Sequence, residues 1–127
     1  MGRLALDSDA LIAIFKVSDR HHKSIVKRLL HNKEQVVLSS IALSESLVHV
    51  YRIGQGEEMK VLIMDWASEI VSVDPEIASY AAELRAVNNF KLGDALISAT
   101  AILNKCTLLT FDEKLAKRTP GAELLVS

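Results

Sequence analysis

Short uninterrupted apolar runs alternate along this chain with longer stretches in which apolar residues recur every three or four positions, the respective marks of buried strands and of helices. Residues 3–7 read as a short buried strand and 8–15 as a helix, followed by a second amphipathic helix over 19–30. Val36, Val37 and Leu38 make a second strand. Ser39 and Ser40 are suited to cap a helix that reaches Ile53, and Gly54 and Gly56 mark its end. A further helix covers 57–68 and a third strand 70–73. Asp74-Pro75-Glu76 then opens a helix running to Val87, with a cap, a proline at the first helical position and an acidic first turn. Residues 94–105 form a helix whose Ala95, Ser98, Ala99 and Ala101 suit close packing. Residues 107–111 form a strand, 112–117 a short helix, Thr119-Pro120-Gly121 a turn, and 124–126 a last strand. Strands alternating with helices predict an α/β fold with right-handed crossovers and a parallel sheet.

Within that pattern four acids stand out. Asp7 closes the run Leu4-Ala5-Leu6, Asp94 opens the uncharged stretch 95–103, Asp112 closes Leu108-Leu109-Thr110-Phe111, and Glu45 sits inside the helix after the second strand. A carboxylate beside apolar segments is costly to desolvate unless something positive meets it. In a parallel sheet the carboxyl ends of the strands converge on one crevice, where open α/β folds bind ligands. Four oxygen ligands there describe a site for Mg²⁺ or Mn²⁺. Each aspartate also precedes a helix, so capping of orphan N–H groups is an equally good reading of any one taken singly.

Length and composition change the picture little. The chain of 127 residues has the size of one domain, spanning 1–127, and is 50% hydrophobic but only 5% aromatic, as suits aliphatic parallel strands covered by helices. No apolar run approaches the roughly 18 residues of a membrane span, and the N-terminus lacks a signal-peptide pattern, so a soluble cytoplasmic protein is expected. Cys106, the single cysteine, has no thiol partner for a disulfide or zinc site. Net charge is −1, which argues against nucleic acid at first sight. Setting the four site acids aside from 16 leaves 12 against 15 bases. The bases cluster as Lys16, Arg20, Lys23, Lys27 and Arg28 with His21 and His22, and as Lys114, Lys117 and Arg118. Both clusters are placed to flank one crevice and hold a phosphate backbone, or else form ordinary solvated helix faces.

The segments Leu4-Ala5-Leu6-Asp7-Ser8-Asp9, Ser40-Ile41-Ala42-Leu43-Ser44-Glu45, Leu92-Gly93-Asp94-Ala95-Leu96 and Leu108-Leu109-Thr110-Phe111-Asp112 occur in an order and spacing that resembles the PIN-domain ribonucleases, in particular VapC-type toxins of type II toxin–antitoxin pairs. The resemblance covers essentially the whole chain. It implies a three-layer α/β/α fold around a parallel sheet of about four to five strands, with Asp7, Glu45, Asp94 and Asp112 as metal-binding and catalytic acids. Ser8 and Thr110 would be supporting hydroxyls. It further implies Mg²⁺- or Mn²⁺-dependent endoribonucleolytic cleavage of single-stranded or looped RNA leaving a 5′-phosphate, a homodimer, and an antitoxin partner. Asp9 departs from the family, which more often has a small uncharged polar residue there; it suits an added ligand or a cap. Periodicity disagrees over Glu45, because Leu43, Leu47, Val50 and Tyr51 form the apolar stripe of its helix and Glu45 falls opposite. His49, one turn further on, reads as exposed.

Two other classes compete. Asp7-Ser8-Asp9 and Gly93-Asp94 also resemble the acidic motifs of haloacid dehalogenase phosphatases, although Leu11 stands where those have Thr or Val. A non-catalytic binding module, whose acids only cap helices, is the third. The helix over 57–68 carries Met59, Leu62, Ile63 and Trp66 on one face and Val61 and Met64 away from it, a wider apolar surface than one core contact requires.

Overall fold

The computed structural model describes residues 2–30 and 33–127. Within them β1 (Arg3–Leu6), β2 (Gln35–Ser39), β3 (Glu69–Val71), β4 (Thr107–Thr110) and β5 (Glu123–Leu124) form one wholly parallel sheet in the order β3-β2-β1-β4-β5. Around it lie α1 (Ser8–Phe15), α2 (His22–Leu29), α3 (Ser40–Arg52), α4 (Gly56–Trp66), α5 (Pro75–Val87), α6 (Leu92–Leu103) and α7 (Glu113–Arg118).

Strand alternation divides the core in two. Leu4, Leu6, Val36, Leu38 and Leu109 pack with Leu11 of α1, Ile25 of α2 and Ile63 of α4 on one face. Ala5 and Leu108 meet Ile77 and Ala81 of α5, Ile97 of α6 and Leu115 of α7 on the other. The result is the three-layer α/β/α arrangement. Both faces being covered explains why the strands read as unbroken apolar runs. Helix α3 serves both sides, giving Leu47 to the first core and Ala42 to the second. None of the helices in the described residues is long and apolar enough to cross a membrane.

The chain winds outward from β1 to β2 and β3, then crosses back through α5 and α6 to place β4 on the other side of β1. The direction of winding therefore reverses between β1 and β4, and the crevice beyond their carboxyl ends is the expected ligand site. Asp7 and Asp112 follow these two strands.

Several boundaries differ from the sequence reading: α6 spans Leu92–Leu103 rather than 94–105 and α4 Gly56–Trp66 rather than 57–68, and three further shifts have a visible cause, local for α2 and set by a neighbouring strand for β3 and β5. Helix α2 starts at His22, because the Asp19 carboxylate accepts the His21 N–H at 2.8 Å and holds the preceding residues in a turn. Strand β3 spans Glu69–Val71 rather than 70–73, since its partner β2 stops at Ser39, which pairs with Val71 and caps α3. Strand β5 is Glu123–Leu124, one step earlier than 124–126. Its partner β4 ends at Thr110, whose carbonyl takes a last bond from Leu125 N–H at 2.8 Å.

Candidate metal centre

Asp7 is 5% exposed and caps α1, its Oδ1 accepting the Ala10 N–H at 2.9 Å. Its Oδ2 accepts a short hydrogen bond from the hydroxyl of Thr110, which is fully buried at the end of β4. The Thr110 Oγ1 in turn accepts the Asp112 N–H at 3.0 Å. One threonine thus fixes the ends of β1 and β4 against each other. Asp112 caps α7, Oδ1 accepting the Leu115 N–H at 3.1 Å. The capping reading is therefore correct for Asp7 and Asp112, but each cap occupies one carboxylate oxygen only.

Asp94 does not cap: Lys91 holds the N-cap position of α6, and Asp94 projects half-buried from the first turn. Glu45 is exposed, yet its carboxylate lies against Gly93, occupying the space a Cβ there would need. Periodicity alone put Glu45 on a solvent face. Glu45 is indeed exposed there, and because α3 also packs on α6 its carboxylate end still reaches Gly93. Ser8 opens α1 and exposed Asp9 follows it; His49 is exposed further along α3.

Burial pushes the Asp7 carboxyl up to about 6, against the pull of Thr110 and of the Ala10 N–H, with smaller upward pushes from Asp9 and Asp94. Asp94 is raised first by burial, then by Asp112 and Glu45, with Lys91 pulling it back and Asp9 adding a little. Five acids from four separate segments thus share one field. Among the described residues no three His, Cys, Asp or Glu side chains are gathered into a ready-made cage. The donor chemistry fits a hard divalent cation all the same: these are carboxylate oxygens, and the mutual repulsion that raises Asp94 is what such a cation relieves.

Beside Asp94 and Asp112 opens a recess of about 370 Å³, bordered by Lys91, Lys114 and Arg118. Arg118 donates to the Asn89 carbonyl at 2.6 Å and stands over the Phe90 ring, 5.7 Å from its centre. The other basic cluster is elsewhere. Lys23, Lys27 and Arg28 border a separate groove of about 650 Å³ closed by residues 124–127, and Arg28 holds Glu123 through Nε at 2.7 Å. Lys117 turns away toward Glu113. Lys23, Lys27 and Arg28 therefore do not border the recess beside Asp94 and Asp112, whereas His21 of the same cluster stacks on Phe111 with ring centres 3.9 Å apart.

The family model of the PIN domain matches residues 4–120. The chain belongs to the PIN domain family. This PIN domain is similar in structure to a toxin–antitoxin complex from Klebsiella pneumoniae, with 27% identity, a TM-score of 0.79, and 94% of this chain and 95% of that chain covered. It is similar as well to VapBC2 from Rickettsia felis bound to a promoter DNA fragment, at 24% identity and TM-score 0.72, covering 96% of each chain. A third similar structure is Mycobacterium tuberculosis VapC20, a sarcin–ricin loop cleaving toxin, at 18% identity and TM-score 0.74, covering 90% of this chain and 93% of that one. Among curated proteins no significant sequence match is found. Two residues of this PIN domain have placements that the sequence reading did not assign: Gly93, which it used only within the Gly93-Asp94 motif, and Lys91. Gly93 is singled out only by the glutamate seated on it, and Lys91 only by the recess it borders.

Proposed function

We propose that this chain is a metal-dependent endoribonuclease, acting in the cytoplasm as the toxin of a toxin–antitoxin pair on single-stranded or looped RNA. The observation that carries this reading is the convergence of Asp7, Glu45, Asp94 and Asp112 in one electrostatic field at the switch point of the sheet, in a chain of the PIN family. Asp7 and Asp94 would hold Mg²⁺ or Mn²⁺, with Asp112 on a second or weaker position and Glu45 completing the set. When bound, such an ion lowers the pKa of water and neutralises charge developing on a phosphodiester.

The protein's own contribution is orientation. Thr110 and the Ala10 N–H fix both oxygens of Asp7 before any ligand arrives, which spares the site that ordering. Exposed Glu45 stands at the rim, where its carboxylate orients the attacking water and accepts its proton. Attack by water would break the bond from phosphorus to the 3′ oxygen, which leaves as a 3′-hydroxyl with a proton from solvent while the phosphate stays on the 5′ oxygen. Products from RNA incubated with the chain and Mg²⁺ or Mn²⁺ should therefore be degraded by an exonuclease that requires a 5′-monophosphate; products bearing 5′-hydroxyls would contradict this chemistry. Turnover of small phosphate esters through a phosphoaspartate would instead support the phosphatase reading, which the family match over residues 4–120 already weakens.

Gly93→Ala provides a sharper probe. Its new Cβ meets only the far end of the flexible Glu45 side chain, so the fold absorbs it, and alanine is the better helix former by about 1 kcal/mol. The expected outcome is an unchanged or slightly raised melting temperature with divalent-ion affinity reduced about tenfold, in the range of losses from disturbed supporting residues. Calorimetric Mn²⁺ titration of both proteins checks it.

Partners follow from the surface. Val61, Leu62 and Met64 of α4 and Val48 and Tyr51 of α3 are 46–62% exposed, while Ile63 and Met59 of α4 face the core. The wide apolar face of α4 is thus not consumed within the monomer, although Trp66 stacks edge-on against Phe15. That surface suits a homodimer, and the toxin–antitoxin complexes among the similar structures support an antitoxin partner. Sedimentation of the isolated chain at micromolar concentration is expected to show a dimer, and Leu62→Glu a monomer.

A further inference from the structure

The candidate centre is lopsided in charge. Asp9 and Glu45 stand on its α1 and α3 side, while the side toward α7 and the loop before α6 carries Lys91, Lys114 and Arg118 around Asp94 and Asp112. Arg118 is committed to the wall of the recess, through the Asn89 carbonyl and the Phe90 ring. Lys91 and Lys114 are exposed, and neither belongs to an ion pair among the described residues. Two such lysines beside two carboxylates, without closing on them, are placed to meet an anion that arrives with the substrate. The recess volume, about 370 Å³, lies in the roughly 300–1,000 Å³ range of small-ligand sites and so accepts about one nucleotide.

We propose that this recess is a nucleotide subsite, in which Lys91 and Lys114 hold the phosphate next to the scissile one, so that the RNA strand leaves the centre on the α7 side. The assignment rests on the ribonuclease reading above. It sets this recess apart from the larger groove along α2, where Lys23 and Lys27 stand with no candidate acid beside them.

The test is the salt dependence of RNA binding. Fluorescein-labelled single-stranded RNA is titrated, over a salt series, with the Asp7→Asn chain, and with the same chain carrying K91Q and K114Q or, in parallel, K23Q and K27Q. All four lysines are exposed, and melting curves check that each protein folds. Loss of two phosphate contacts is expected to shrink the slope of log affinity on log salt by about 1.4, at about 0.7 per contact on a single strand. The K23Q and K27Q pair should leave the slope in place. An unchanged slope in K91Q/K114Q, or an equal fall in both pairs, overturns the subsite while leaving RNA cleavage by the unmodified chain intact. An unmodified chain that neither binds nor cleaves RNA overturns the ribonuclease reading and the subsite with it.

Discussion

Asp7→Asn is expected to raise the stability of the metal-free chain at pH 7.5 by about 2–3 kcal/mol while abolishing its activity. The Asp7 carboxyl titrates near 6 in the folded chain against 3.8 ordinarily, so the buried site prefers the protonated form. Below about pH 4 the acid is protonated folded or unfolded, and its ionisation costs nothing. Between about pH 4 and 6 the unfolded chain gives up the proton and the folded chain keeps it, so stability falls as pH rises; above about 6 the full penalty is present. At 1.36 kcal/mol per pKa unit the shift corresponds to about 3 kcal/mol, and asparagine avoids it while still accepting the Ala10 N–H. Roughly 4 °C of melting temperature per kcal/mol makes this an increase of about 10 °C. The wild-type melting temperature should decline from pH 4 to 6.5 and the variant should lack most of that decline. A variant less stable than wild type at pH 7.5 would show that the Thr110 and Ala10 hydrogen bonds outweigh burial at Asp7.

A second large effect is expected from divalent cations. The raised Asp94, pushed by burial, Asp112 and Glu45, marks carboxylates whose charge is unrelieved. A cation that binds only the folded chain stabilises it by RT ln(1 + [L]/Kd), about 2.7 kcal/mol at one hundred times Kd. Millimolar Mn²⁺ should accordingly raise the melting temperature of the wild-type chain by about 10 °C at pH 7.5. The shift should collapse in Asp94→Asn and recede as pH falls through 6, where Asp7 takes up its proton. A wild-type shift that survives in Asp94→Asn would move the cation to some other site.

Much of this arrangement was legible before the structure. β1 and β4 read clearly because central parallel strands are buried on both faces, so Leu4 to Leu6 and Leu108 to Leu109 leave no polar alternation to confuse them. Asp7 and Asp112 were visible as acids closing those runs, and Asp74-Pro75 as a helix start, since caps are local chemistry: the Asp74 side chain does accept the Ile77 N–H at 2.8 Å. Glu45 was legible only through family resemblance, because a helix packed on three sides has no single stripe from which to predict what its other faces meet. The contact of Gly93 with Glu45 and the place of Lys91 in the recess were not legible, because they exist only once α3 and the residues of α7 are brought to the start of α6. The extent of β3 was misjudged for the same reason, its end being set by Ser39 on a neighbouring strand.

The measurement that tests the central claim most directly is cleavage of a mixed RNA substrate by the purified, partner-free chain in Mg²⁺ or Mn²⁺, with EDTA and Asp94→Asn run in parallel. Cleavage by the wild-type chain that both controls abolish is the predicted result. Cleavage that persists in EDTA or in Asp94→Asn, or no cleavage in any ion together with no melting shift, would contradict a metal-dependent ribonuclease built on these carboxylates.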